Sequence, residues 1–279
     1  MAVEIPRANE TDVHGLEYAD TADLNVFFAG NQSPVVPELL ENFREEHPEA
    51  GQVFYETLPP GLLAEQIRAG GATFGGREIT ARADVYLSTT IDLMRGLARE
   101  GFLEETEIKP YVKNRLVLVV AGGNPKGIRG LEDLTRDDVR ISMPNPEREG
   151  IARYILDMYR DFGGPEFERK VMEEKKEAGA TTLTAVHHRE TPDNLEQGKA
   201  DVGPVWFTEY KEHAAKDRDI ELIEVGREYD QQDEITYYLA PLKEAPHPDL
   251  ARKFVDFVLN PGGQEVYARY GFVPAAPER

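Results

Sequence analysis

Short apolar runs alternate along the chain with segments in which apolar residues recur every three or four positions. Short runs with polar or turn-forming residues at both ends are typical of strands that helices cover on both faces. These runs predict strands at Leu24–Phe28, Gln52–Tyr55, Asp84–Leu87, Leu116–Ala121, Val139–Ser142, Asp201–Val205, Glu221–Val225 and Ile235–Ala240.

The segments between these runs predict amphipathic helices, because their apolar residues follow the i, i+3, i+4, i+7 rule. The apolar positions are Val36, Leu39, Leu40 and Phe43, then Ile151, Tyr154, Ile155, Met158, Tyr159 and Phe162, then Leu250, Phe254, Phe257 and Val258, and finally Val266, Tyr267 and Tyr270. Strands that alternate with helices in this way indicate an α/β fold with largely parallel sheets.

The chain is predicted to cross twice between two lobes. One β/α series ends and another begins in the stretch KPYVKNRLVLVV, near Val112–Arg115, and a second crossing is predicted near Gln231–Glu234. The first lobe then comprises residues 24–114 and 233–279, and the second lobe comprises residues 115–232. Residues 1–23 are interpreted as a polar N-terminal extension. Two crossings indicate a hinge with a cleft between the lobes.

Composition excludes several functional classes. The 279 residues include 52 Asp and Glu against 32 Lys and Arg, a net charge of −20. Nucleic acid is therefore not expected as a partner, because phosphate binding needs a basic face. Cysteine is absent, which excludes thiol catalysis and Cys-based zinc sites. No apolar stretch approaches the roughly 20 residues of a membrane-spanning helix.

The N-terminus leaves the compartment open. Residues 1–23 lack the basic start and the apolar core of an export signal. The protein is then either cytosolic, or an exported protein whose signal has been removed.

Sequence motifs give no sign of catalysis. The chain contains neither G-x-G-x-x-G nor G-x-x-x-x-G-K-[ST], and neither H-E-x-x-H nor G-x-S-x-G. The glycine pairs at 70–71 and 75–76 are interpreted as a flexible loop and not as a phosphate cradle. We therefore expect no enzyme activity and no cofactor.

Polar side chains cluster where predicted strands lead into predicted helices. In an α/β fold such junctions expose helix N-terminal N–H groups at the carboxyl edge of a sheet, where ligands bind. The junction residues are Asn31, Gln32 and Ser33, then Thr57 and Pro60, then Glu147 and Glu149, and finally His187, His188, Arg189 and Glu190.

Six motifs in order resemble the molybdate/tungstate-binding proteins of ABC transporters. They are VFFAG…SPVVPELLENF, LLAEQIRAGG…ARADVYLSTTIDLM, KNRLVLVVAGGNPKG, ISMPNPEREGIARYIL, LEQGKADVGPVWFTEY and FVDFVLNPGGQEVYARYGFVP, spread over about residues 24–276. The resemblance implies a two-lobed type II periplasmic binding protein fold that holds an oxyanion without converting it. It also implies a monomer, located in the periplasm or outside the cell, that delivers its ligand to an ABC permease in the membrane.

At the positions where the family contacts its ligand, the resemblance places different residues in this chain. The first oxyanion-binding serine of the family falls on Asn31 and the second on or near Pro60. A backbone-donor position falls near Glu149, the next falls near His188, and a family tyrosine becomes Trp206. In the archaeal tungstate-binding branch, carboxylates approach the metal centre, and Glu147 and His188 are the nearest matches.

Three hypotheses about the ligand and the function stay open. With both serines replaced, the donors available to an oxyanion are Asn31, Thr57, Ser88, Thr89, His188 and Arg189. A metal cation is the first alternative, since imidazole and carboxylate groups suit Zn or Fe; the candidate ligands are His187, His188, Glu190, Glu56 and Glu147. The second alternative is a non-transport protein on the same fold, either a cytosolic ligand sensor or an enzyme.

Overall fold

The computed structural model describes residues 3–185 and 190–275. The chain folds into two compact units, one formed by Met1–Lys113 with Thr236–Arg279 and the other by Asn114–Ile235. The first crossing follows Lys113, inside the predicted range, and the second follows Ile235, one residue beyond its predicted range. Within residues 3–185 and 190–275, no helix is both long enough and apolar enough to span a bilayer.

The first unit combines strands from both ends of the chain. Its strands are Val3–Ile5 (β1), Val13–His14 (β2), Leu24–Ala29 (β3), Val53–Leu58 (β4), Ala72–Phe74 (β5), Arg77–Ile79 (β6), Val85–Ser88 (β7), Lys109–Lys113 (β8), Thr236–Pro241 (β14) and Val273–Pro274 (β15). Its α-helices are Val36–Glu46 (α1), Pro60–Ala69 (α2), Ile91–Arg99 (α3), Pro248–Leu259 (α8) and Pro261–Arg269 (α9).

A seven-stranded sheet in the order β15-β8-β14-β7-β3-β4-β2 forms the centre of the first unit. Alternate residues of its central strands face opposite layers of helices. On one face Phe27 and Phe54 pack with Leu63 of α2. On the other face Phe28 meets Phe254 of α8, with 6.0 Å between ring centroids. Apolar residues on both faces explain why the central strands appear as continuous apolar runs in the sequence.

The N-terminal segment belongs to the first unit. The sequence predicted a polar extension over residues 1–23, whereas β1 pairs with β5 and β2 pairs with β4. The buried residues Ile5, Ala19 and Ala22 lie in the same apolar cluster as Phe27. These apolar residues are too widely spaced for a periodic pattern, so the sequence gives little sign that the segment packs.

The glycine-rich stretch after α2 forms a hairpin and not the predicted loop. β5 and β6 are antiparallel, and Gly75 and Gly76 connect them with φ values of +58° and +85°. Two consecutive positive φ values are typical of the type I′ turn that joins two-residue hairpins. Glycine adopts this conformation without steric cost.

The second unit holds a five-stranded sheet in the order β11-β10-β12-β9-β13. Its strands are Leu116–Ala121 (β9), Ile141–Met143 (β10), Thr181–Leu183 (β11), Val202–Trp206 (β12) and Ile220–Ile223 (β13). Its α-helices are Ile151–Arg169 (α4), Lys175–Glu177 (α5), Glu190–Glu196 (α6) and Phe207–Ala215 (α7). α4 is kinked where Gly164, at φ +71°, precedes Pro165.

Every strand predicted from the sequence is present, and the α/β class is confirmed. The expectation of mainly parallel sheets is wrong, because among the described residues parallel pairing is confined to β1 with β5, β3 with its neighbours β4 and β7, and β10 with β11 and β12. β9 and β14 are the strands with which the chain enters a unit after each crossing, and both pair antiparallel to their neighbours. The apolar character of a strand does not encode its direction, so the sequence could not reveal this.

Candidate functional site

Three parallel strands of the first unit end at the same edge of the sheet. β3 lies between β4 and β7 and is parallel to both, with Ala29 opposite Leu58 and Phe27 opposite Tyr86. A helix follows each strand, namely α1, α2 and α3. This edge is where open α/β sheets bind ligands.

The helices α1, α2 and α3 begin without side-chain caps. Their N-cap residues are Val35, Pro59 and Thr90, and none of these side chains accepts a hydrogen bond from the first turn. The first N–H groups of a helix have no partner inside the helix and carry the positive end of its dipole. This edge therefore offers N–H donors to an acceptor, and an anion suits them best.

Asn31 follows β3 and has one satisfied and one unsatisfied polar atom. Its Nδ2 donates a hydrogen bond to the Tyr237 hydroxyl of β14. Its Oδ1 is buried and has no hydrogen-bond partner among the described residues. The preceding residue is glycine because a Cβ at Gly30 would lie 3.0 Å from the carbonyl oxygen of Thr57. Asn31 is therefore held close to the end of β4, with one polar atom left for a further partner.

The side chain of Gln32 bonds to other parts of the first unit. Its side chain is fully buried. Its Oε1 accepts hydrogen bonds from Tyr111 at 2.7 Å and from Tyr267 at 2.9 Å. Burial raises the pKa of both tyrosine hydroxyls, so they stay protonated and act as donors. Gln32 thus links the turn after β3 to β8 and α9.

The hydroxyl group of Thr57 already has an acceptor. It donates to Oδ1 of Asp12 at 3.3 Å, and Oδ2 of Asp12 accepts from Nδ2 of Asn9 at 3.0 Å. A hydroxyl has one hydrogen to donate, so Thr57 offers none to a ligand while this contact holds. Asp12 is only 8% exposed and immediately precedes β2, which places a carboxylate at the carboxyl end of β4.

The two predicted donors at the end of β7, Ser88 and Thr89, differ in availability. Ser88 is buried, and its Oγ accepts from the backbone N–H of Thr90 at 3.1 Å and donates to the Thr90 carbonyl at 3.3 Å. Thr89 is half-buried, and its hydroxyl makes no hydrogen bond with the described residues. Of these two predicted donors, Thr89 is therefore the one whose hydroxyl can still donate.

Pro60 is the first residue of α2 and has no N–H group. Its carbonyl oxygen accepts a hydrogen bond from the hydroxyl of Tyr86 at 2.8 Å. Pro60 therefore positions the start of α2, and the N–H groups of Gly61 and Leu62 are the first that this helix can offer.

The second unit repeats the arrangement with different side chains. β10 lies between β11 and β12 and is parallel to both. In the loop before α4, the backbone N–H of Glu149 donates to the Asn145 carbonyl at 2.9 Å. The Glu149 carboxylate accepts from the Asn145 backbone N–H at 2.9 Å and from the Thr184 hydroxyl. Glu149 thus holds the loop, and its own N–H is already bonded.

The other residues that the sequence predicted as ligand contacts in the second unit have different environments. Glu147 is exposed, and its N–H donates to Oδ1 of Asn145 at 3.0 Å. Trp206 is 5% exposed and packs on Tyr154 with 5.8 Å between ring centroids, which makes it a core residue. Glu190 accepts from the backbone N–H of Ala185 at 3.1 Å. His187, His188 and Arg189 lie outside the described residues.

The described residues do not support the alternative metal site. Within residues 3–185 and 190–275, no group of three or more His, Asp and Glu side chains is placed to hold a metal ion. Glu56 is fully buried, and its Oε1 accepts a hydrogen bond from Gln66 at 3.2 Å. The alternation of side chains along β4 points Glu56 toward α2, on the opposite face from Thr57.

Three residues at this sheet edge of the first unit were not identified from the sequence. Asp12 lies in a segment interpreted as an extension, and Tyr86 and Tyr237 lie inside strands where they read as core residues. The only available signal was the hydroxyl of each buried tyrosine, since a buried O–H normally has a partner.

Comparisons with known proteins agree with this fold. Over 249 residues the chain is 27% identical to the molybdate-binding protein ModA of Mycobacterium tuberculosis, covering 88% of this chain and 83% of that protein. The structure resembles the periplasmic molybdate-binding protein of Azotobacter vinelandii, with a TM-score of 0.69 and 18% identity over 91% of this chain and 100% of that chain. It also resembles the sulfate-binding protein SubI of Mycobacterium tuberculosis, with a TM-score of 0.68 and 22% identity over 91% of this chain and 87% of that chain.

The two units, each with parallel strands that lead into helices at one sheet edge, have the fold of the type II periplasmic binding proteins. Residues 24–273 match the family described as bacterial extracellular solute-binding proteins. The chain belongs to this family, which confirms the family and the fold that the sequence motifs implied.

Proposed function

We propose that this protein binds a small tetrahedral oxyanion of the molybdate or tungstate type and delivers it to an ABC permease. It acts outside the cytoplasmic membrane and releases the anion chemically unchanged. The likeness to ModA supports the choice of ligand class. The solute-binding family supports transport over a sensor or an enzyme.

The observation that carries this proposal is the set of three helix N-termini without side-chain caps at one edge of the first unit. A micromolar site needs about −8 kcal/mol. Each helix N-terminus contributes about 0.3–1 kcal/mol, rising to about 2 kcal/mol when partly buried. Hydrogen bonds to a charged group add about 1.5–3 kcal/mol each. A few N–H and side-chain donors at this edge are therefore sufficient.

Asn31 and Thr89 supply the side-chain donors. One amide atom of Asn31 is buried without a partner, and the hydroxyl of Thr89 is uncommitted among the described residues. A 180° rotation of the amide exchanges Nδ2 and Oδ1. In the rotated state the Tyr237 hydroxyl bonds to Oδ1, and Nδ2 takes the unpartnered position as a donor. Asn31 then replaces the serine that the family resemblance places at this position.

Isothermal titration with molybdate, tungstate and sulfate tests the proposal. We expect molybdate and tungstate to bind, and we expect Asn31→Asp to weaken binding more than tenfold, because an isosteric carboxylate repels an anion. Gln52→Glu is the matched control, since it adds the same charge immediately before β4, at the opposite end of that strand. Sulfate binding without molybdate binding would replace the proposed ligand. Equal effects of both variants would remove the proposed edge as the binding site.

A further inference from the structure

A buried pair of polar side chains joins β4 to α2. Glu56 is fully buried in β4, and Gln66 of α2 is 1% exposed. Nε2 of Gln66 donates to Oε1 of Glu56 at 3.2 Å. The other oxygens of the two groups, Oε2 of Glu56 and Oε1 of Gln66, are both buried and have no hydrogen-bond partner among the described residues.

This pair lacks one hydrogen. With Glu56 ionised, the two side chains present three acceptor oxygens and only one amide group as donor. A buried polar atom without a partner costs about 1–3 kcal/mol, and more when the group is charged. One proton on Oε2 of Glu56 removes the charge and supplies a donor for Oε1 of Gln66, so it satisfies both orphaned atoms at once.

We infer that Glu56 is a neutral carboxylic acid in the folded protein and forms a two-bond ring with the Gln66 carboxamide, which makes Glu56 a positioning residue for α2. One bond runs from Nε2 of Gln66 to Oε1 of Glu56, and the second runs from Oε2–H of Glu56 to Oε1 of Gln66. The two groups are planar forks of the same size, so the bonds are parallel. This inference concerns the ligand-free protein and does not depend on the proposed ligand.

The surroundings of Glu56 favour the neutral form. Burial raises the pKa of Glu56 to about 8, and the hydrogen bond from Gln66 offsets only part of that rise. No described residue forms an ion pair with it. Arg68, on the same helix as Gln66, pairs instead with Glu100 at 2.6 Å. The ionisable side chains on the neighbouring elements are Arg7 and Asp12 before β2, His14 in β2, Glu65 and Arg68 in α2, and Tyr86 in β7.

The ring of Glu56 and Gln66 affects the sheet edge at which we propose that the ligand binds. It fixes the middle of α2 to β4, and the N-terminus of α2 begins immediately beyond the end of β4. A neutral Glu56 also leaves no formal negative charge on β4 one residue before Thr57. The pair therefore orients the N–H groups of α2 without repelling an anion at that edge.

The test is the pH profile of unfolding for wild type and Glu56→Gln. Glutamine reproduces the protonated acid, because its NH₂ group donates to Oε1 of Gln66 and its oxygen accepts from Nε2. The folded state of wild type holds a proton that the unfolded state releases above the ordinary pKa of 4.5. The folding equilibrium constant of wild type should therefore fall relative to the variant by up to about tenfold per pH unit until pH reaches about 8, and the difference should be constant above that pH.

Glu65→Gln is the control, since Glu65 is exposed, precedes Gln66 and should leave the profile unchanged. The carboxyl ¹³C shift of Glu56 in wild type gives an independent readout, and it should report a protonated acid at pH 6. A shift typical of carboxylate at pH 6, or parallel pH profiles for wild type and Glu56→Gln, would overturn the inference. Neither measurement involves a ligand, so its failure is distinct from a failure of the proposed function.

Discussion

The hydroxyl of Tyr86 donates a hydrogen bond to the carbonyl oxygen of Pro60 across 2.8 Å. Tyr86 lies in the strand that leads to α3, and Pro60 is the first residue of α2. Burial raises the pKa of the tyrosine, which keeps its hydroxyl protonated and able to donate. The bond therefore ties β7 to the beginning of α2, at the edge that carries the proposed site.

Removing this hydroxyl should destabilise the protein. Tyr86→Phe removes this bond and leaves the Pro60 carbonyl with the intrahelical N–H of Ala64 alone, so we expect a loss of about 0.5–1.5 kcal/mol in the free energy of unfolding by urea titration. Tyr159→Phe is the control, because Tyr159 is equally buried but the one hydrogen-bond partner of its hydroxyl in the described part of the chain is Sδ of Met143, at 3.8 Å. A thioether sulfur is a weak acceptor, so this loss should be smaller. Equal losses would show that the bond to Pro60 has no special weight.

The carboxylate of Asp12 should weaken anion binding at the same edge. Asp12→Asn removes the charge and keeps an oxygen that accepts from Thr57, so we expect affinity for molybdate to rise about fivefold in low salt, a change of about 1 kcal/mol. The gain should shrink as NaCl is added, because salt screens the repulsion that the substitution removes. Isothermal titration at two salt concentrations measures both effects.

Asp20→Asn is the matched control for this prediction. Asp20 also accepts a hydrogen bond from a threonine hydroxyl, that of Thr80, at 2.6 Å. It precedes β3, so it lies toward the opposite end of the central strands. We expect no change in affinity for this variant. A similar gain in both variants would indicate a general effect of net charge and not a local one.

The glycine of the ADVG motif should tolerate no side chain. A Cβ at Gly203 in β12 would lie 2.4 Å from Cγ2 of Thr191 and 2.6 Å from the carbonyl oxygen of Ser142. Gly203→Ala should therefore cost about 1–3 kcal/mol in unfolding free energy. Gly61→Ala is the control, since a Cβ there meets nothing within 4 Å, and alanine in α2 should be neutral or stabilising by up to about 1 kcal/mol. Thermal and urea unfolding of both variants compare the two outcomes, and an unchanged Gly203→Ala protein would contradict the close packing.

Periodicity predicted the parts of the fold that bury apolar residues continuously. α1 buries Val36, Leu39, Leu40 and Phe43, the positions that the helical rule selects. Strand Leu116–Ala121 is predicted to the residue. The segment before β3 was missed because its buried residues are few and are separated by acidic ones, so no period of two or 3.6 emerges.

The location of the candidate site could be predicted from the sequence, but the hydrogen bonds of its side chains could not. The sequence selects the junctions after β3 and β4 and names Ser88 and Thr89 as donors, and the structure brings the ends of β3, β4 and β7 to one edge. It could not show that Thr57 and Ser88 already donate their hydroxyl hydrogens, to Asp12 and to the Thr90 carbonyl. Residue type fixes what a side chain can donate, whereas the fold decides which partner receives it.

The net charge of −20 should govern how fast the ligand arrives. A negative field slows the approach of an anion, and its reach falls to about 8 Å at physiological salt. The association rate of molybdate should therefore rise as NaCl is added, whereas that of a cation should fall. Stopped-flow mixing of the protein with molybdate at a series of NaCl concentrations measures this rate. Repeating the series with sodium glutamate separates screening from competition by chloride, and a molybdate rate that falls in both salts would show that a local positive potential at the site outweighs the net charge.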